Sequence, residues 1–169
     1  MTVPRGGVFV STGSMMPFDR LIRAMDDWAK DHPTTPVFFQ IGKGSYEPRH
    51  GGFVRLMPVG AYRDHLAAAA LFVAHAGMGS IISAIQAGKP LVMLPRSKPL
   101  GEHNTDHQLA TAATVGQRDG LHVAATEGDL AALIDRLLAD TSAPPAPIAP
   151  FASAELIGHV RAFIHAAGR

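Results

Sequence analysis

The sequence predicts an α/β fold with an open, doubly wound parallel sheet, and three observations carry that prediction. Short apolar runs recur along the chain without alternating polar residues, which is typical of strands covered on both faces. Segments with apolar residues at helical spacing separate these runs, so that strand and helix alternate. A glycine-rich turn joins the fourth run to the segment that follows it. The runs are Val8–Thr12, Val37–Ile41, Phe53–Met57, Leu71–Ala74, Leu91–Leu94 and Leu121–Val123.

Five of the segments that follow the runs carry a helical signal. The first connection has an apolar stripe and ends before Pro33, whereas the third is rich in alanine. The fourth ends with Gly88 as a C-cap and has Pro90 just beyond it. The predicted helices are Phe18–Ala29, Ala61–Ala70, Ser80–Ala87, His103–Val115 and Glu127–Ala139.

A proline-rich stretch divides the chain after its last strand–helix unit. Residues 1–140 are predicted to form the α/β domain, and residues 141–150 read as a stiff, extended linker. Residues 151–169 are predicted to form a helix with Leu156, Val160, Phe163, Ile164 and Ala167 on one face. This helix either docks on a partner or folds back on its own sheet, and the sequence leaves both interpretations open.

Composition narrows the class of protein. Of the 169 residues, 47% are hydrophobic and 17% are charged, which fits a packed globular domain. The net charge of +1 and the lack of a basic stripe argue against nucleic acid binding. No cysteine is present, so disulfides and thiolate metal sites are excluded. No apolar segment is long enough for a membrane span or a signal peptide, so we expect a cytoplasmic protein that reaches a membrane through a partner or an amphipathic surface.

The stretch from Leu71 to Pro95 carries the first chemical signal. Gly77 and Gly79 lie between a buried strand and a helix, where they let a ligand approach the backbone closely. Free N–H groups and the helix dipole at that point favour an anion such as a diphosphate, and Ser80 can cap the helix or donate to a phosphate. The alternative is a purely structural turn. The dinucleotide fingerprint and the P-loop are both missing.

Polar residues follow the next strand, and they suit the hydroxyl groups of a sugar. They are Glu102, His103, Asp106, His107 and Gln108. A capped helix start with solvated side chains is the alternative interpretation. Because His103 and His107 are four residues apart, a metal is a further alternative, although the chain offers no obvious remaining ligands. The loop after the first strand, Ser11–Phe18, lies at the same end of the sheet.

At these residues the sequence resembles a known family. The strings VFVSTGS…PFDRLI, FQIGKG, VAHAGMGSIISAIQAGKPLVMLPR and EHNTDHQLA are similar to the C-terminal domain of glycosyltransferase family 28. The resemblance runs from Val8 to about Ala139. It is strongest to one-domain members, which are small subunits of two-component transferases such as the dolichol-linked N-acetylglucosamine transferase and bacterial exopolysaccharide and capsule transferases.

The resemblance implies the Rossmann-like C-terminal half of a GT-B enzyme, which binds UDP-sugar and works by inversion. The other half binds the acceptor, so we expect a membrane-associated acceptor-binding subunit as partner and a lipid-linked sugar as acceptor. The resemblance also implies the contacts to the nucleotide-sugar. The backbone at Val59 would hold the uracil, and Gly13 and Ser14 would approach the diphosphate, with Gly77, Gly79 and Ser80 around the phosphates. Glu102 and His103 would touch the sugar with Asp106 beside them, and His75 would orient the loop.

The sequence departs from the family pattern at one position. Ser83 stands where many relatives have a glutamate that holds the ribose, so ribose contact is expected to be weaker or the nucleotide to differ. The chain lacks an Asp-x-Asp motif, and we expect no metal and no cofactor. The general base is expected on the partner, with His103 and His107 as outside candidates. A self-contained nucleotide-sugar hydrolase or epimerase, a non-catalytic regulatory subunit and a fragment of a two-domain enzyme are the alternatives.

Overall fold

The protein forms a six-stranded parallel sheet with helices on both faces. This computed structural model describes residues 6–139, 147 and 152–167. Nearly all of the predicted linker, residues 141–150, lies outside the described residues. The strands are β1 (Val8–Ser11), β2 (Val37–Gln40), β3 (Gly52–Val54), β4 (Leu71–His75), β5 (Leu91–Leu94) and β6 (Leu121–Val123). The helices are α1 (Asp19–Asp31), α2 (Val59–Ala68), α3 (Met78–Ala87), α4 (His107–Val115), α5 (Glu127–Ala139) and α6 (Ala154–Ala167).

The strand order β3-β2-β1-β4-β5-β6 gives the doubly wound topology that the sequence predicts. Every described strand pair is parallel. The chain leaves β1 toward β2 on one side and returns to β4 on the other. Ligands of such sheets bind beyond the carboxyl ends of the strands at this reversal. The loops after β1 and β4 therefore form the expected site.

Alternation along the central strands builds two separate cores. Val8 and Val10 of β1 pack with α1 and α5, whereas Phe9 packs on the opposite face with α2, α3 and α4. In β4, Val73 and Phe72 divide between the same two cores. Both faces are apolar, so the strands read as unbroken apolar runs in the sequence.

Three helix starts differ from the sequence prediction by two residues or more. α2 begins at Val59, directly after Pro58, and α3 begins at Met78 within the glycine turn. α4 begins only at His107 instead of His103. Polar side chains of the preceding loop bind the loop's own backbone, which competes with helix formation there.

Helix α6 lies within the segment 151–169, and its described side chains are all exposed to solvent. Its apolar face includes Phe163, which is 75% exposed, and Leu156, Val160 and Ile164 on the same face. Within the described part of the chain, no helix combines the length and the apolar character that a bilayer crossing requires.

Candidate functional site

A cleft of about 700 Å³ opens at the carboxyl ends of the strands. It lies where the topology predicts a site, between the segments that follow β1, β3, β4 and β5. Its described lining contains three histidines and one arginine but no aspartate and no glutamate. The lining therefore favours an anionic ligand over a cationic one.

The first turn of α3 forms one wall of the cleft. Gly77 is the N-cap with extended backbone, and no side chain caps the helix. The amides of Met78, Gly79 and Ser80 belong to the first turn and have no acceptor within the helix. A Cβ on Gly79 would meet nothing within 4 Å, so the backbone there is open to a ligand. Free amides and the positive end of the helix dipole together suit a phosphate group.

The imidazole of His75 fills the space between two glycine loops. A Cβ on Gly13 would lie 2.8 Å from His75 Nε2, and a Cβ on Gly77 would lie 2.1 Å from His75 Cε1. Both glycines are therefore required by the close approach of this ring, and Gly13 also has a left-handed φ of 75°.

A hydrogen-bond relay fixes the tautomer of His75. The backbone N–H of Arg96 donates to Gln108 Oε1 over 3.1 Å, so Gln108 Nε2 is the donor toward His75 Nδ1 at 3.2 Å. Burial, together with the nearby charge of Arg96, lowers the pKa of His75 to about 4. The ring is therefore neutral at pH 7, and its proton lies on Nε2, where it can donate to a ligand.

Arg96 lies at the floor of the cleft and is only 2% exposed. Its terminal nitrogens donate to the carbonyls of Thr12, Met16, Pro17 and Glu102 at 2.6–3.2 Å. Burial lowers the pKa of the Arg96 guanidinium to about 10, with Glu102 acting in the opposite direction. The side chain therefore stays charged at neutral pH.

Tyr62 of α2 joins the cleft from the side of β1. Burial raises the pKa of Tyr62, with the side chains of Ser11 and Ser80 acting in the opposite direction, so its hydroxyl stays protonated at neutral pH. Val59, three residues before Tyr62, is the first residue of α2 and also lines the cleft.

The predicted sugar-binding residues divide into two groups. Glu102 accepts two hydrogen bonds from Arg20, at 2.6 and 2.8 Å, and Asp106 accepts one from the backbone N–H of Lys98. Neither carboxylate is part of the cleft lining. His103 and His107 do line the cleft, with ring centroids 4.4 Å apart. Their roles toward a donor sugar remain predictions.

The remaining predicted nucleotide-sugar contacts are brought together in one cleft. They are Gly13, Ser14, Val59, His75, Gly77, Gly79 and Ser80. Sequence reasoning did not assign a role to Tyr62 or Arg96, and it did not place Gln108 beside His75. An arginine two residues after a buried strand is the one signal that could have pointed to Arg96.

The described residues contain no arrangement of side chains that suits a metal centre. Among residues 6–139, 147 and 152–167, no group of three or more potential ligand side chains is arranged to hold a metal ion.

Ser83 lines the cleft, and its hydroxyl donates to the carbonyl of Gly79 over 2.7 Å.

Comparison with known proteins identifies the domain. Residues 7–155 match the profile of the glycosyltransferase family 28 C-terminal domain. No curated protein matches the sequence.

Solved structures share the fold. The glycotransferase of kitacinnamycin superposes with a TM-score of 0.60 at 21% identity, over 82% of this chain and 36% of that chain. Os79 from O. sativa, solved in complex with UDP, superposes with a TM-score of 0.57 at 18% identity, over 81% of this chain and 32% of that one. The solution structure of ALG13 gives a TM-score of 0.58 at 17% identity, over 86% and 90% of the two chains.

These relationships agree with the observed topology. The chain spans about a third of the length of the two larger proteins and most of the length of ALG13. The predicted fold, a Rossmann-like C-terminal half of the GT-B type, is confirmed. The profile match covers most of the sequence, and the chain belongs to the glycosyltransferase family 28 C-terminal domain family.

Proposed function

We propose that this chain is the donor-binding subunit of an inverting, two-component glycosyltransferase. It binds a UDP-sugar in the cleft and presents a hexose-type sugar to a lipid-linked acceptor. The observation that carries the proposal is the convergence of free backbone amides on a cleft whose described lining has no carboxylate. A nucleoside diphosphate is the donor component whose charge such a lining complements.

The proposed chemistry follows from the charge that develops on the leaving group. The acceptor hydroxyl attacks the anomeric carbon, the bond to the diphosphate oxygen breaks, and the hydroxyl proton passes to a base. The amides of Met78, Gly79 and Ser80 would stabilise the departing diphosphate without rearranging. The neutral Nε2–H of His75 adds a donor at the same wall.

The general base is proposed to come from the partner. No carboxylate is present in the described cleft lining to accept the proton. His103 and His107 lie at the cleft and are the candidates within this chain. If one of them acted as base toward water, the isolated chain would hydrolyse a UDP-sugar, which is the self-contained alternative.

Helix α6 supports the proposed partner. Its apolar face is uncovered, with Leu156, Val160, Phe163 and Ile164 each more than half exposed. An exposed apolar stripe of this kind is typical of an interaction surface. We propose that α6 docks on a membrane-associated acceptor-binding subunit, which would hold this chain at the cytoplasmic face of a membrane during exopolysaccharide or glycan precursor synthesis.

Calorimetric titration of the chain with UDP tests donor binding. The Gly79→Asp variant places a carboxylate among the free amides of α3 and is expected to abolish binding. Gly158→Asp makes the same change on α6, where a Cβ also meets nothing within 4 Å, and is the matched control. UDP binding that survives in Gly79→Asp would contradict the proposed site, and UDP-sugar turnover by the chain alone would favour the self-contained enzyme.

Co-expression with a candidate acceptor subunit tests the second half of the proposal. Phe163→Asp is expected to abolish co-purification and to leave UDP affinity unchanged, because α6 does not contribute to the cleft. Partner binding that needs α6 without any UDP binding would favour the non-catalytic regulatory subunit.

A further inference from the structure

The loop between β1 and α1 presents unpaired amides next to the start of α3. Within the described chain, the backbone N–H groups of Ser14, Met15 and Met16 have no hydrogen-bond acceptor. Ser14, Met15 and Met16 all belong to the cleft lining. The loop therefore offers a second set of donors on the wall that faces α3.

The carbonyls of the same loop point to a single side chain. Thr12, Met16 and Pro17 direct their oxygens at the Arg96 guanidinium, at distances of 2.8, 2.9 and 2.6 Å. The Gly13 carbonyl faces elsewhere, since it lies 2.7 Å from the position of a Cβ on Gly42. In a trans peptide the N–H points away from the C=O of the preceding residue, so the Ser14 N–H points away from Gly42. The Arg96 contacts lie on both sides of the three amides and so fix the two ends of the segment that carries them.

Arg96 has no spare terminal donor for a ligand. Both of its terminal nitrogens carry two carbonyl contacts each, so it cannot form a forked contact with a phosphate unless it gives up the loop. The ion pairs of the described chain do not include it. Glu102, the carboxylate whose charge acts on Arg96, is bonded to Arg20. The Arg96 charge is therefore buried behind the loop without a direct counter-ion.

We propose that Arg96 is a positioning residue for a nucleoside diphosphate, because it anchors both ends of the loop segment that carries the amides of Ser14–Met16 and supplies positive charge behind them. This inference rests on the proposed donor-binding function and deepens it. Two anion-binding walls, the β1–α1 loop and the start of α3, would then share one diphosphate. A monophosphate can occupy only one wall at a time, so Arg96 would select for the diphosphate.

The test compares UDP, UMP and inorganic pyrophosphate as probes of the full chain and of three variants. Arg96→Met removes both the charge and the fork, and Arg96→Lys keeps the charge. Arg55→Met is the control, because Arg55 also donates to a loop carbonyl but lies outside the cleft. Since a tenfold change in affinity corresponds to about 1.4 kcal/mol, titration calorimetry resolves the expected losses.

The expected result is a selective loss. Arg96→Met should weaken UDP by about tenfold or more, the scale of a lost charge-assisted hydrogen bond, and UMP by much less. Arg96→Lys should restore part of the UDP preference. In amide NMR spectra, UDP should still shift Gly79 in Arg96→Met but should no longer shift Ser14 and Met15. A merely structural role would weaken UDP and UMP by the same factor.

The remaining outcomes separate the two proposals. UDP binding by Arg96→Met at the parent affinity overturns the role of Arg96 and leaves donor binding standing. Pyrophosphate binding without UDP binding by the parent overturns the nucleotide proposal, and the variants are then compared with pyrophosphate. Failure of the parent to bind either probe overturns both proposals. If Arg96→Met does not fold, the UDP-to-UMP ratio of Arg96→Lys decides, and an unchanged ratio overturns the inference.

Discussion

Two glycines at the start of α3 have opposite surroundings, and exchanging each for alanine should change stability in opposite directions. A Cβ on Gly77 would lie 2.1 Å from Cε1 and 2.7 Å from Nδ1 of His75. A Cβ on Gly79 would meet nothing within 4 Å. Neither glycine has a positive φ, so backbone strain does not contribute to the difference.

The expected loss in the free energy of unfolding follows from how far the His75 ring must move. Carbon atoms pack at about 3.5 Å or more, so the ring must move by about 1.4 Å in Gly77→Ala. That movement disturbs the 3.2 Å contact with Gln108, whose loss costs about 1 kcal/mol. Overpacking adds about 1–3 kcal/mol, which gives a total of roughly 2–4 kcal/mol. Gly79→Ala should instead gain about 0.5 kcal/mol, because alanine loses less conformational entropy in a helix.

Urea unfolding followed by tryptophan fluorescence measures both variants. Trp28 is the only tryptophan, and it is buried against α5 through a hydrogen bond to Asp135, so its emission reports the folded state. Equal stability of Gly77→Ala and the parent protein would refute the argument that His75 is held tightly between the glycine loops. Gly79→Ala should also weaken UDP binding despite its higher stability, since its methyl group faces the proposed diphosphate.

Three further predictions concern charged and titratable groups. Asp26→Asn should lower the free energy of unfolding by about 1–3 kcal/mol, because this 1%-exposed carboxylate accepts hydrogen bonds from Tyr46 and from two backbone amides. Burial alone would raise the pKa of Asp26 but these bonds lower it overall, so its contribution should be present above about pH 4 and be lost as the pH falls through the lowered value. The pKa of His75 is lowered to about 4 in the folded protein. As the pH falls from about 6.5 to 4, His75 is therefore protonated in the unfolded chain before it is protonated in the folded one, and the free energy of unfolding should decrease. Urea midpoints at a series of pH values should show a flatter dependence in His75→Asn. Glu102→Ala should lower the melting temperature, because Arg20 loses both charge-assisted bonds, but should leave UDP affinity nearly unchanged, and a large loss of UDP affinity would place Glu102 in the site after all.

The sequence was sufficient for the fold because local and global signals agree along the sheet. Unbroken apolar runs predicted strands covered on both faces, and β1 and β4 indeed divide their side chains between two cores. The start of α4 was predicted four residues too early. Residues such as His103 and Asp106 have side chains that suit a helix start, and only the contact of Asp106 with the Lys98 backbone shows that the chain is still in a loop.

The site was predictable where it depends on local backbone and less so where it depends on distant partners. The position of the glycine turn between a strand and a helix predicts free backbone amides. The sequence does not reveal that Glu102 pairs with Arg20, which lies 82 positions earlier. Arg96 and Thr12 are 84 positions apart, and their contact exists only because β1 and β5 lie on either side of β4.

The mouth of the cleft gives a physical reason for expecting a second component. Met15, Leu56, Val59 and Met78 line the cleft, yet each is more than half exposed. Apolar side chains around a polar floor lose favourable burial unless another surface covers them, at about 25 cal/mol per Å² of exposed area. A glycosyl donor also has to be kept from water, because water competes with the acceptor hydroxyl for the anomeric carbon. One covering surface would meet both needs, since it would bury the rim and exclude water in the same step. The proposed donor-binding subunit is therefore expected to bind the donor without turning it over until such a surface covers the cleft.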